Sequence, residues 1–266
     1  MSNNNTNFIN IKGLNISYNI YGSGAINVLL LHGWGANKDL FKPVTDILSK
    51  ENELKLISLD FPGFGKSDLP PEPWDTKDYT DFTLDFAKKL NLNKFVLIGH
   101  SFGGRISIRI ASQKPELVDK VILVDSAGIK PKRKLKYYIK VWTFKLSKNL
   151  LKLFYRGKNF DEKMKTLYKK YGSEDYKNTE GVMRQSLVKV VNEDLSDLLP
   201  KIEAPTLIMW GENDKETPLW MGRKIEKVMN EAGKDAALIG LKNAGHYSFL
   251  DKLNEFVVII KKFIIG

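Results

Sequence analysis

The chain has 266 residues, 42% hydrophobic and 27% charged, a length and balance that suit one α/β domain or a core carrying an insertion. Cysteine is absent, which excludes disulfides, thiolate nucleophiles and zinc–thiolate sites, and no apolar run reaches the ~18 residues of a membrane span. The net charge of +11 is concentrated: residues 130–170 hold fifteen Lys and Arg against two Asp and Glu, so the rest of the chain is close to neutral.

The opening MSNNNTNFIN is polar, with no basic region leading into an apolar one, and predicts a chain without a secretory leader. Together with the missing cysteines it makes a cytoplasmic location the expectation. Residues 7–22 alternate and turn at Lys12-Gly13, which predicts a β-hairpin. INVLLLHG (26–33) is a continuous apolar run closed by glycine, the pattern of a strand buried on both faces. The design repeats at 54–65, 94–104, 120–128 and 205–214, and more weakly at 235–246. Helical spacing fills the intervals: Tyr79, Phe82, Phe86 and Leu90 within 75–91, a second helix over 102–114, and Leu250, Leu253, Val257, Ile260 and Ile264 within 249–265.

This alternation predicts the α/β class: a mostly parallel central sheet with helices on both faces and a ligand site beyond the carboxyl ends of the strands. It breaks after Gly128. Residues 129–198 read as helical without strands, so 1–128 and 199–266 are expected to form the core and 129–198 a helical cap over the site. Within the cap, Leu135, Ile139, Trp142, Leu146, Leu150 and Phe154 fall on one stripe with lysines between them.

The chemistry gathers at strand ends. Gly-x-Ser-x-Gly around Ser101 is a short pattern, but here a strand precedes it and a helix follows. A sharp turn at that junction would hold the hydroxyl out at the sheet edge; a helix-capping serine is the competing reading. The chain has three histidines. His32 ends an early strand in HGWG, where a structural role fits its ring nitrogens, and His100 precedes Ser101. His246 alone lies late, in a loop before the last helix, where it would serve as the base a serine nucleophile needs. A carboxylate must orient that base, and GENDKETP supplies Asp214, with Glu212 as a weaker choice; Asp125 ends another strand. DFPGFGKSD (60–68) shapes a tight loop but lacks the glycine spacing of a phosphate-binding loop.

HGWG, DFPGFGKSD, GHSFGG, GENDKETP and AGH, in that order, resemble the α/β-hydrolase fold serine hydrolases over essentially the whole chain. The resemblance implies Ser101 as nucleophile, His246 as base and Asp214 as orienting acid, with Asp125 as competitor because some members take the acid from that position. It implies an oxyanion hole from the Trp34 and Phe102 N–H groups. Serine at the nucleophile position argues against haloalkane dehalogenases and epoxide hydrolases, and HGWG lacks the triple glycine of the lipase HGGG loop. The expected activity is hydrolysis of a small or medium carboxylic ester through an acyl-enzyme, with no cofactor or metal. Alternatives are a thioester or carbon–carbon hydrolase or lyase using the same triad, or a ligand sensor with little turnover. His100, Arg105, Trp142, Met183 and Tyr247 are candidate substrate contacts. Arg105 follows SFGG as in a menaquinone-pathway lyase of this fold and would clamp a carboxylate, unless it pairs with a neighbouring acid. The basic segment is read as a cap whose stripe covers the site and whose lysines are solvated, in preference to contact with an anionic membrane. No motif supports nucleic-acid binding.

Overall fold

In the computed structural model, which describes residues 6–130, 135–171 and 174–266, the first two runs form a hairpin of β1 (Asn7–Ile11) and β2 (Leu14–Tyr21). Lys12 and Gly13 both adopt positive φ, 51° and 87°, the turn whose twist matches paired strands. The apolar runs become β3 (Ile26–Leu31), β4 (Leu54–Leu59), β5 (Phe95–His100), β6 (Val118–Val124), β7 (Thr206–Gly211) and β8 (Ala236–Leu241). They build one sheet in the order β1-β2-β4-β3-β5-β6-β7-β8. Only the pairings of β2, with β1 and β4, are antiparallel.

The helices are α1 (Lys42–Leu48), α2 (Thr76–Lys89), α3 (Phe102–Gln113), α4 (Leu135–Phe154), α5 (Gly157–Tyr171), α6 (Glu174–Asn178), α7 (Gly181–Asn192), α8 (Trp220–Glu231), α9 (Ser248–Asp251) and α10 (Leu253–Ile265). The inner parallel strands are largely apolar because helices cover both faces. Leu29, Leu97, Leu123 and Ile208 share one core with Phe86 of α2, Ile106 of α3 and Ile225 of α8. Leu30, Val96, Ile122 and Met209 share the other with Val44 of α1 and Phe256 of α10. Each such side chain, fully removed from water, contributes about 1.5–3 kcal/mol.

Two helices escape the sequence reading, α1 and α8, and the expected helix over 249–265 is divided. Lys252 leaves the helical region (φ −128°, ψ 45°) between α9 and α10. Between β6 and β7 the described chain is helical. α7 is fastened to the core: Ser186 Oγ accepts from the Trp74 N–H at 2.9 Å, Lys189 Nζ donates to the Pro73 carbonyl at 2.5 Å, and Glu193, just beyond α7, pairs with Arg109 and Thr76. α4 packs differently. Its Phe144 ring lies against Tyr168 and Tyr171 of α5 and Tyr176 of α6, at 5.9–6.5 Å between centroids.

Candidate functional site

β5 runs straight into α3, and the residue at the junction, Ser101, takes φ 50° and ψ −109°. A non-glycine residue held there stores about 1–3 kcal/mol of strain, which the surroundings must offset. The Ser101 N–H donates to the Val124 carbonyl at 3.0 Å, and the Ser101 carbonyl accepts from Gly104 and Ala127, each at 3.0 Å. The approach of α3 to the sheet leaves no space for side chains. A Cβ on Gly103 would stand 2.0 Å from the Leu31 carbonyl oxygen, and one on Gly99 2.4 Å from Ser107 Oγ. The Ser101 side chain makes no helix-capping hydrogen bond, so the capping reading of this serine is set aside.

His246 follows β8 and Asp214 follows β7. His246 Nδ1 donates to Asp214 Oδ2 at 2.8 Å. The acid is itself held: Asp214 Oδ1 accepts from the Glu216 and Thr217 N–H groups at 2.8 and 3.0 Å, and Oδ2 from Thr217 Oγ1 at 2.7 Å. Burial works against its charge, but the hydrogen bonds from His246 and Thr217 outweigh it and hold the carboxyl below its ordinary value. For His246, burial likewise opposes the imidazolium; the Asp214 bond and charge prevail, Glu216 and Asp125 add to them, and its pKa lies above that of a free histidine. Glu216 Oε2 is 3.5 Å from His246 Nε2.

Asp125 ends β6 but does not touch His246. Its Oδ1 accepts from the Gly211 N–H at 2.7 Å, and its Oδ2 from the Ser248 N–H and hydroxyl at 3.0 and 2.6 Å. Burial pushes it up to about 7 despite these bonds. It therefore ties β6 to β7 and to the loop carrying His246.

The other histidines are spent on the scaffold. His32 Nδ1 donates to the Gly33 carbonyl at 2.7 Å and Nε2 accepts from the Phe61 N–H at 3.1 Å; burial lowers its pKa to about 4, so the ring is neutral. His100 Nε2 donates to the His246 carbonyl at 2.8 Å, and burial takes its pKa down to about 3. His100 thus steadies the His246 loop from beneath. The Trp34 and Phe102 N–H groups are not spent on other backbone groups among the described residues.

A cavity of about 430 Å³ abuts these loops, lined by residues that include Trp34, Phe64, Asp175, Glu180, Met183 and Tyr247. The 60–68 loop supplies one wall: Asp60 accepts from the Lys38 and Lys66 N–H groups at 2.6 and 3.0 Å, Gly63 lies against Met183, and Phe64 lines the cavity. Trp34 packs edge-on to Phe64 and Phe102 at 4.9 and 5.3 Å. A recess of similar size beside Lys120, Leu207 and Phe263 lies at the opposite ends of the strands, away from these loops.

Of the candidate substrate contacts, Met183 and Tyr247 line the cavity and three others do not. His100 is buried and is not part of the lining. Arg105 donates from Nη1 to the Glu193 carbonyl at 3.0 Å, and burial lowers its pKa to about 10, so the guanidinium secures the chain after α7. Trp142 is 64% exposed on α4, whose opposite face takes the contacts with α5, so its expected stripe points outward and does not cover the site. Sequence reasoning missed Thr217, Asp175, Glu180 and Glu216. Thr217 alone carried a signal: a donor three residues after an aspartate in a turn-rich stretch.

Comparison with known proteins agrees with this architecture. Residues 26–253 match the family model described as alpha/beta hydrolase fold. An uncharacterised hydrolase of Bacillus subtilis (strain 168) is 26% identical over 89% of both chains. A pimeloyl-[acyl-carrier protein] methyl ester esterase of Wigglesworthia glossinidia brevipalpis is 30% identical over 93% of this chain and 96% of its own. The solved structure of an esterase from Exiguobacterium antarcticum superposes with a TM-score of 0.74 at 25% identity, covering 98% of this chain and all of that one. With a family model spanning most of its length and esterases among its relatives, the chain belongs to the alpha/beta hydrolase fold family and is a hydrolase.

Proposed function

We propose that the protein hydrolyses a small or medium carboxylic ester with a neutral acyl group, through an acyl-enzyme on Ser101. The observation that carries this reading is the 2.8 Å Asp214–His246 bond on loops beyond β7 and β8, at the same edge of the parallel sheet as the strained Ser101 that ends β5. Asp214 fixes the proton on His246 Nδ1, which leaves Nε2 as the base. Nε2 takes the Ser101 proton as Oγ attacks the carbonyl carbon, then delivers it to the departing alcohol oxygen. Water attacks the acyl-enzyme by the same route in reverse. The Trp34 and Phe102 N–H groups meet the oxyanion, each worth ~10²–10³ in rate.

The cavity supports the acyl class. Trp34, Phe64 and Met183 offer apolar wall, Asp175 and Glu180 add negative charge, and among the described residues its lining includes no lysine or arginine. A carboxylate-bearing acyl group would meet repulsion there, and Arg105 is engaged elsewhere. The ester named for the Wigglesworthia relative supports the reaction type.

A fluorophosphonate probe tests the reading: the wild type should be labelled and should turn over neutral aryl esters repeatedly, and Ser101→Ala should abolish both. Equal labelling of Ser101→Ala would overturn the nucleophile assignment. A single turnover with no second cycle would overturn the enzymatic reading in favour of a ligand sensor.

A further inference from the structure

We propose that the outward face of α4 docks on an anionic membrane surface, laying the helix in the headgroup plane. Leu135, Ile139, Trp142, Leu146, Leu150 and Leu153 recur at helical spacing along it and are 44–75% exposed. At 1.5 Å per residue this apolar line runs about 27 Å. Isolated exposed leucines need no explanation, but an unbroken line with a central tryptophan does.

The flanks indicate what covers the line. Lys140 lies on one side of it and Lys145 and Lys152 on the other; all three are exposed, and none is taken up by an ion pair among the described residues. Residues 130–160 hold eleven Lys and Arg and not one Asp or Glu. An apolar stripe for the acyl boundary, tryptophan at that boundary and lysines reaching phosphates on either side is the composition of an interfacial helix. A second copy of the chain would bring these lysine rows against each other. A nucleic acid would leave the leucines without a partner. No helix among the described residues is long and apolar enough to cross a membrane, so the contact is with the surface.

The test is flotation of the full chain with vesicles of phosphatidylcholine alone or mixed with phosphatidylglycerol. Binding should be more than about tenfold stronger on the mixed vesicles and should fall steeply with added salt. Two variants should each lose it: Lys140→Glu/Lys145→Glu/Lys152→Glu, and Leu146→Ser/Leu150→Ser. Both alter exposed positions, so each should keep the wild-type melting temperature and turnover of a soluble ester. Equal binding to both vesicle types, no binding, or binding unchanged in either variant overturns the proposal. So does a dimer, seen by sedimentation velocity, that Leu146→Ser/Leu150→Ser splits, since the face would then join two copies. Retention on immobilised poly-glutamate, lost in the lysine variant while vesicles fail to bind, overturns it in favour of an acidic protein partner.

Discussion

Two aspartates end neighbouring strands, and their oxygens are committed to different partners. Asp214 gives one oxygen to His246 and the other to backbone N–H groups. Asp125 gives both to Gly211 and Ser248. Asp214→Asn should therefore free His246 to adopt the wrong tautomer and lower kcat by ~10⁴. Asp125→Asn should act on stability first, costing ~1–3 kcal/mol through an unsatisfied Ser248 donor, with a much smaller loss in kcat. Steady-state kinetics beside urea unfolding of both variants checks this; the reverse ranking would move the acid role to Asp125. The same chemistry sets the pH response. In the proposed mechanism His246 works only when neutral, and Asp214 and Glu216 hold its proton more tightly than a free imidazole does. The acid limb of kcat/KM should lie above the ~6.5 of an ordinary histidine. Glu216→Gln should move it to lower pH, by less in high salt, because that carboxylate is 69% exposed and screened. For Asp125 the sign is opposite. Its folded pKa is raised to about 7, so between its unfolded value and 7 the folded state binds the proton better, and the stability it contributes falls as pH rises through that window. Asp125→Asn should flatten that slope in urea titrations made on either side of it.

At the scale of elements, the elbow shows how β5 and α3 meet. The Gly103 Cα faces the Leu31 carbonyl of β3, and an added Cβ would sit 2.0 Å from that oxygen, closer than any real contact. Neither partner is a flexible side-chain end, so Gly103→Ala should push the start of α3 off the sheet. The expected cost is at least the ~1–3 kcal/mol of an overpacked core, or about 2–4 °C in Tm for each kcal/mol. Activity should fall with it, because the Phe102 N–H moves too. A melting curve and ester turnover for the variant check both; an unchanged Tm would mean the junction is looser than this geometry. Elements of this kind were largely legible in the sequence. Strands covered on both faces must be apolar throughout, and their glycine and histidine ends mark where the chain turns. The partition of roles beyond the strands was less so: which aspartate meets His246 depends on the hydrogen bonds each loop makes across the sheet. α8 escapes the pattern because its core residues Met221, Ile225 and Met229 are separated by charged ones, and the orientation of α4 escapes it for a different reason. Periodicity says that a helix has an apolar stripe; it does not say which face the neighbouring helix will take. Phe144 and the tyrosines of α5 and α6 took the other one.

At the scale of the molecule, the sequence divides by charge and the structure divides by packing, and the two boundaries differ. The basic excess fills residues 130–170, yet α7, further along, is bound to the core through Ser186, Lys189 and Glu193, and Met183 on it lines the cavity. The segment between β6 and β7 is thus of two kinds: α7 behaves as part of the core, and α4 leans on α5 while turning its far side to water. Free energies of local opening follow buried contact, from near zero at weakly packed elements to the global value in a core sheet. Hydrogen exchange should therefore rank β5 and β6 slowest, α7 close behind them, and α4 fastest of the four, although α4 at 20 residues is the longest helix among the described residues. Length alone would predict the opposite, since each added residue extends the hydrogen-bonded ladder. Mass-spectrometric exchange on peptides from 95–124, 135–154 and 181–192 separates the two accounts. If α4 exchanged as slowly as α7, its exposed stripe would have to be covered in solution even without lipid, and α4 and α7 would then open as one unit.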